Sequence, residues 1–146
     1  MKKILLLTAV ITGFYSCKKS EVPAEKCSTS NTTIAGVYTI SSIKYKESAD
    51  ASETDEFADV AACSKDDTYE LNPDGSIVIT DAGVVCDLPA NPGPMSGWSL
   101  QDNNSRLYLD QSIYTIESFD CSTLVVSMSS VIRAGDKRII TYKKRS

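Results

Sequence analysis

What most constrains this chain is the spacing of its apolar residues. From Gly36 onward, short runs rich in β-branched and aromatic residues alternate with turn signals, and apolar side chains recur at every second position. Period two is the mark of strands with one face buried and one face wet. Eight such runs stand out, at 37–45, 68–71, 76–80, 97–100, 106–110, 113–119, 123–129 and 137–143. Tyr38 and Ile40, Tyr69 and Leu71, Ile77 and Ile79, Trp98 and Leu100, and Leu107 and Leu109 fall on one face, as do Leu124, Val126, Met128, Ile140 and Tyr142. Asn72-Pro73-Asp74-Gly75 is a strong turn, because Pro presets φ at the first central position and Gly accepts positive φ. No long amphipathic helix competes; at most a turn or two is expected within 52–62. Every link after the second run is too short for a parallel crossover, so the strands must form an antiparallel meander. Eight of them close most simply into an up-and-down barrel, which removes both exposed edges. A β-sandwich is the alternative.

Ahead of the strands lies a different kind of sequence. Met1-Lys2-Lys3 is basic, residues 4–15 are apolar, and Ser16-Cys17 follows. A charged start, a short apolar core and a small residue before the break predict a secretory signal peptide over residues 1–16. Its apolar run is well short of the ~20 residues that span a bilayer. Cys17, followed by the polar Lys18-Lys19-Ser20-Glu21, resembles the lipobox of bacterial lipoproteins, with Phe14-Tyr15 where that family has Leu and a small residue. The resemblance implies lipidation of Cys17 and an anchor in the outer membrane. Lys18-Lys19 is not an acidic export tag, which favours the periplasmic face. An ordinary signal cut later, near Ala24, is the alternative. Residues 17–33 are polar without period and read as a tether; 34–146 form the single domain.

Removing residues 1–16 takes two lysines with it and moves the formal net charge from −4 to −6. That argues against nucleic acid, whose binding rests on neutralising phosphates. With Cys17 modified, four cysteines remain in an oxidising compartment, which predicts two disulfides. Histidine is absent, there is no C-x-x-C, and no Gly-x-Ser-x-Gly or glycine-rich phosphate loop occurs. Neither an enzyme, a metal site nor a cofactor is expected. Asp66 and Asp67, adjacent on a strand, would face opposite ways and are expected to be solvated or to hold a turn.

The stretch Cys63-Ser64-Lys65-Asp66-Asp67-Thr68-Tyr69-Glu70-Leu71-Asn72-Pro73-Asp74-Gly75, then Cys86, then Gly97-Trp98-Ser99-Leu100, resembles the lipocalin-like domain of Gram-negative lipoproteins. Gly36-Val37-Tyr38 matches that family's opening, and Leu71 stands where Phe is commoner. Over roughly residues 34–144 the resemblance implies an eight-stranded calycin-type barrel, in a family that says more about fold than about ligand.

The meander itself selects a disulfide pairing. With the first strand rising, Cys63 and Cys86 lie at the top of the barrel, and Cys27 and Cys121 at the bottom. Bonded Cα atoms must lie within about 7 Å, so Cys63–Cys86 and Cys27–Cys121 is the pairing that fits. The first long loop, 47–67, carries eight acids and one lysine. It reads as a solvated lid, or as a hard-cation site if its carboxylates converge. Lys18, Lys19, Lys26, Lys143, Lys144 and Arg145 fall at the other end, which predicts a basic floor towards the membrane and an acidic mouth away from it. Two functions follow as expectations for a monomer. One is a small hydrophobic ligand inside the barrel, lined by Tyr38, Tyr69, Trp98, Leu109, Tyr114 and Tyr142. The other is a protein or glycan partner held by the loops 47–67 and 82–96.

Overall fold

In the computed structural model, residues 27–86 and 97–145 are described; the expected signal peptide, Cys17 and most of the segment read as a tether lie outside them, as does 87–96. The elements run α1 (Asn31–Ile34), β1 (Gly36–Lys46), β2 (Thr54–Asp55), α2 (Ala62–Lys65), β3 (Thr68–Leu71), β4 (Ile77–Thr80), β5 (Trp98–Gln101), β6 (Arg106–Leu109), β7 (Ser112–Phe119), β8 (Thr123–Ser129) and β9 (Lys137–Lys144). All eight runs read from the sequence are strands.

The ladder order is β4-β3-β1-β9-β8-β7-β6-β5, antiparallel throughout. First and last strands are therefore neighbours, and the result is a nearly closed, eight-stranded up-and-down barrel of lipocalin-like form. Closure is not complete, and here the expectation that both edges vanish needs correcting. Among the described residues β4 and β5 share no ladder and meet only at a corner. The Trp98 N–H donates to the Gly75 carbonyl (2.8 Å), and the Trp98 indole donates to the Asn72 carbonyl (2.8 Å). From that corner β4 climbs while β5 continues to the floor, where Asn104 donates to the Thr29 carbonyl (3.0 Å). The two strands diverge, so among the described residues the upper part of β4 has no ladder on that side. Gly97 makes the corner feasible: its φ is +88°, and a Cβ there would stand 2.5 Å from the Gly75 oxygen.

Two bulges explain where the alternation slips. Register shifts between Ile40 and Ser42 on β1 and between Ile116 and Ser118 on β7. One extra residue turns the following side chains to the other face. Hence Tyr38 and Tyr45, seven apart on β1, are both buried, whereas unbulged β6 keeps strict alternation, with Leu107 and Leu109 buried two apart.

Residues 27–35, just ahead of β1, are ordered rather than a loose tether. Ser30 and Thr33 cap α1 reciprocally, and Ile34 is fully buried in the core. The Tyr38 hydroxyl donates to the Ile34 carbonyl (2.5 Å), and Lys144 Nζ donates to the Thr33 carbonyl (2.9 Å). Cys27 is bonded to Cys121 and Cys63 to Cys86, each pair with Cα atoms 5.3 Å apart. This is the pairing the meander requires.

The first loop is also fastened. β2 pairs with the end of β1, and Ile43 accepts from the Glu56 and Phe57 amides. The single helical turn of this region, α2, follows the span where one was expected. At the opposite side of the mouth, Asp136 organises the β8–β9 loop. Its carboxylate accepts from Val131, Ile132 and Arg133 N–H and from the Tyr45 hydroxyl. Burial pushes this carboxyl up, but the donors outweigh that and hold it at about 2.

Candidate functional site

The barrel interior divides into a packed floor and a hollow upper part. In the floor, Ile34, Tyr38, Leu71, Trp98, Leu107, Phe119, Leu124 and Val126 form one cluster. Each such aliphatic side chain, fully buried, contributes about 1.5–3 kcal/mol. Where floor and upper part meet, the void among Tyr38, Tyr69, Leu71, Leu107, Leu109, Leu124 and Tyr142 is only about 10 Å³, the room of a single water.

Above it the interior opens. A cup of about 350 Å³ is lined by Ile40, Tyr69, Ile77, Ile79, Leu109, Asp110, Ser112, Tyr114, Ile140 and Tyr142. That is within the range of small-molecule sites. The cup lies where β4 and β5 share no ladder among the described residues: Ile77 and Ile79 form its wall on one side, Leu109 and Tyr114 on the other. A surface notch of similar volume lies beside the β8–β9 loop, lined by Lys46, Ser48, Ala49, Ser129, Gly135, Asp136 and Lys137, with no aromatic or large aliphatic residue among them.

Four of the six residues expected to line a cavity come together here: Tyr69, Leu109, Tyr114 and Tyr142. Tyr38 and Trp98 do not line the cup. Tyr38 is 1% exposed, and its hydroxyl is used by Ile34. Trp98 is 4% exposed and braces the β5 corner. Both belong to the floor because their polar atoms find backbone carbonyls there. Conversely, Ile40, Ile77, Ile79 and Ile140, read from the sequence only as core, are cup wall.

Three tyrosines give the cup its polarity. The Tyr69 and Tyr142 rings meet edge to face, 5.7 Å between centroids. Burial raises the Tyr69 hydroxyl pKa first, with the Asp67 carboxylate and Tyr114 adding to it. Burial likewise raises that of Tyr142, with Tyr114 and Tyr69 contributing. Both remain proton donors at neutral pH.

The rim is acidic. Cys63–Cys86 staples the segment before β3 to the segment after β4. Asp66 accepts from the Val84 N–H (2.9 Å) and Asp81 from the Cys86 N–H (3.3 Å). The Asp67 carboxyl is raised by burial first and by the Asp81 carboxylate next, with Asp66 adding and the Ala82 N–H opposing. One oxygen each of Asp66, Asp67 and Asp81 is buried without a hydrogen-bond partner among the described residues. Asp66 and Asp67 are thus partly buried loop clamps rather than solvated groups. Three acids of the first loop are spent in ion pairs instead of converging: Glu47 with Arg133, Glu53 with Lys44, Glu56 with Arg138. Asp55 caps the Phe57 amide. Among the described residues no group of three or more carboxylate or thiol side chains could hold a metal ion.

At the floor, Lys143, Lys144 and Arg145 end β9 close to α1 and the Cys27–Cys121 bridge; the Arg145 N–H donates to the Val37 carbonyl (2.7 Å). No helix among the described residues is long and apolar enough to cross a membrane. Compared with protein-family models and with curated proteins, the chain has no match in either.

Proposed function

We propose that this protein is a non-enzymatic binding protein of the bacterial envelope that holds a small hydrophobic molecule in the upper half of its barrel. The observation that carries this reading is the cup of about 350 Å³ with isoleucine walls and tyrosine hydroxyls, set above a packed floor. Its lining joins isoleucine and leucine side chains to Asp110, Ser112 and three tyrosines, and a concave wall of apolar side chains with convergent polar groups is a usual form of small-molecule site. In this reading Cys17 carries the lipid anchor, as its lipobox-like setting and the resemblance to lipocalin-like lipoproteins suggest. The Cys27–Cys121 bridge then ties the anchored segment to the barrel floor, so that the cup opens away from the membrane. Basic residues near an anionic surface add about 1 kcal/mol each to that orientation.

Native mass spectrometry of the protein released gently from the envelope tests the binding reading. A discrete adduct at one per chain is expected; a bare protein mass throughout overturns it. Anchoring has its own test. Cys17→Ser should lose the acyl mass and move the protein to the soluble fraction, and an unchanged mass and distribution would refute the assignment.

A second reading rests on Val84 and Val85, which are 63% and 68% exposed on the loop stapled by Cys63–Cys86. Such a pre-organised apolar tip suits contact with a protein or glycan partner. Loss of partner capture on Val84→Ser/Val85→Ser, with cup binding intact, would distinguish it.

A further inference from the structure

We infer that the cup selects an uncharged molecule whose apolar body carries a hydrogen-bond acceptor such as a ketone, ester or amide carbonyl, and that it rejects carboxylates of the same size. This rests on the reading of the cup as a ligand site and names the chemistry of its occupant.

Three observations converge. First, the hydroxyls of Tyr69, Tyr114 and Tyr142 line the cup and make no hydrogen bond to the protein among the described residues, in contrast to Tyr38 and Tyr45, whose hydroxyls are both engaged. A phenol in an apolar wall without a partner is a donor waiting for an acceptor. Second, no lysine or arginine lines the cup. Near the mouth Lys44, Arg133, Arg138 and Lys137 pair with Glu53, Glu47, Glu56 and Glu117, while Lys46 and Lys65 donate to the Ala49 and Ala58 carbonyls and do not line the cup. A carboxylate entering the cup would be stripped of water without a countercharge, a heavy cost. Third, the rim carries Asp66, Asp67 and Asp81, with Asp110 in the lining itself, so the local potential repels an anion before it is buried. A cation would be drawn to that rim and to the exposed Asp110, where it keeps its water; the rest of the lining is hydroxyls and apolar side chains, so the charged group could not follow its tail inside. A neutral acceptor meets none of these penalties and satisfies the tyrosines.

Displacement of the neutral fluorophore N-phenyl-1-naphthylamine tests the inference, using the full chain as Cys17→Ser so that no acyl chain competes. Nonan-2-one, nonanoate and nonylammonium share a tail and differ in their polar end. At pH 7 nonan-2-one should displace the probe at least about tenfold more tightly than either ion, because each ion loses hydration without a partner in the cup. The combined Tyr69→Phe, Tyr114→Phe and Tyr142→Phe variant should bind nonan-2-one about tenfold more weakly, the worth of roughly one net hydrogen bond, with the probe itself little affected. Nonanoate or nonylammonium binding as tightly as the ketone overturns the inference, and so does a phenylalanine variant that binds the ketone unchanged. If the wild-type chain does not bind the probe at all, it is the cup reading itself that fails.

Discussion

Replacing the two disulfides one at a time should dissociate stability from binding. The Cys27–Cys121 bridge closes 94 residues and Cys63–Cys86 closes 23. Chain entropy alone assigns about 4.7 kcal/mol to the longer loop and about 3.4 to the shorter. The shorter bridge lies inside the longer loop and short-cuts it, which lowers the first figure to about 4.4. Cys27→Ser/Cys121→Ser should therefore cost about 1 kcal/mol more than Cys63→Ser/Cys86→Ser in urea unfolding followed by Trp98 fluorescence. Binding should rank the other way. The Cys63–Cys86 staple holds Asp66, Asp81 and Val84 at the rim of the cup, whereas Cys27 and Cys121 lie at the floor. Loss of the rim staple should weaken N-phenyl-1-naphthylamine binding severalfold, and loss of the floor bridge should leave it within about twofold, as for distant, independent sites. A larger stability loss for the rim pair would refute the loop-entropy argument. Weakened binding on cutting the floor bridge alone would refute the division of the barrel into floor and cup.

Other perturbations follow from the same structure. Leu107→Ala, in the packed floor, should cost about 2–5 kcal/mol, whereas Ile79→Ala, on a wall facing a void that already exists, should cost less than about 1.5; thermal and urea melts compare them. Gly97→Ala should destabilise by about 1–3 kcal/mol, because it combines φ of +88° with a Cβ 2.5 Å from the Gly75 oxygen, and Gly97→Ser should fare no better. Asp136→Asn should lower the melting temperature by several degrees at pH 7. Its folded pKa, about 2, lies below the ordinary 3.8, so the wild-type contribution is fully present above pH 4 and fades as pH falls through 2. The gap between wild type and Asp136→Asn should accordingly narrow between pH 4 and pH 2; a gap constant with pH would contradict the ionised-cap explanation.

The strands were legible because period two survives wherever one face is buried, and the disulfides because short links fix which end each cysteine occupies. Two small elements were not. β2 consists of Thr54 and Asp55, both exposed, and carries no apolar alternation to betray it. α1 is one turn of Asn31-Thr32-Thr33-Ile34, too short for a helical period; its signals were Ser30 three residues before Thr33 and a single apolar residue after. The cup posed a different problem. Ile40, Ile79 and Ile140 alternate inward just as Leu107, Leu124 and Val126 do, so periodicity alone does not separate wall from core. What separates them is the divergence of β4 from β5, a tertiary event fixed by the Trp98–Gly75 corner. Among the tyrosines, Tyr38 was indistinguishable from Tyr69 until α1 supplied a carbonyl for its hydroxyl. The acidic loop read in one dimension as a solvated lid, with a cation site as the alternative, and its glutamates turned out to be partners for arginines and a lysine brought from other strands or loops.

Neighbouring residues on β4 offer the most direct test that the upper barrel is a binding cup. Ile79 lines the cavity, and Val78 beside it is 45% exposed. In a titration with N-phenyl-1-naphthylamine, Ile79→Trp should abolish binding by filling the space, with the fold intact by circular dichroism. Val78→Trp should bind as wild type does, one probe per chain. Equal binding by Ile79→Trp and wild type would place the probe elsewhere on the surface and contradict the cup.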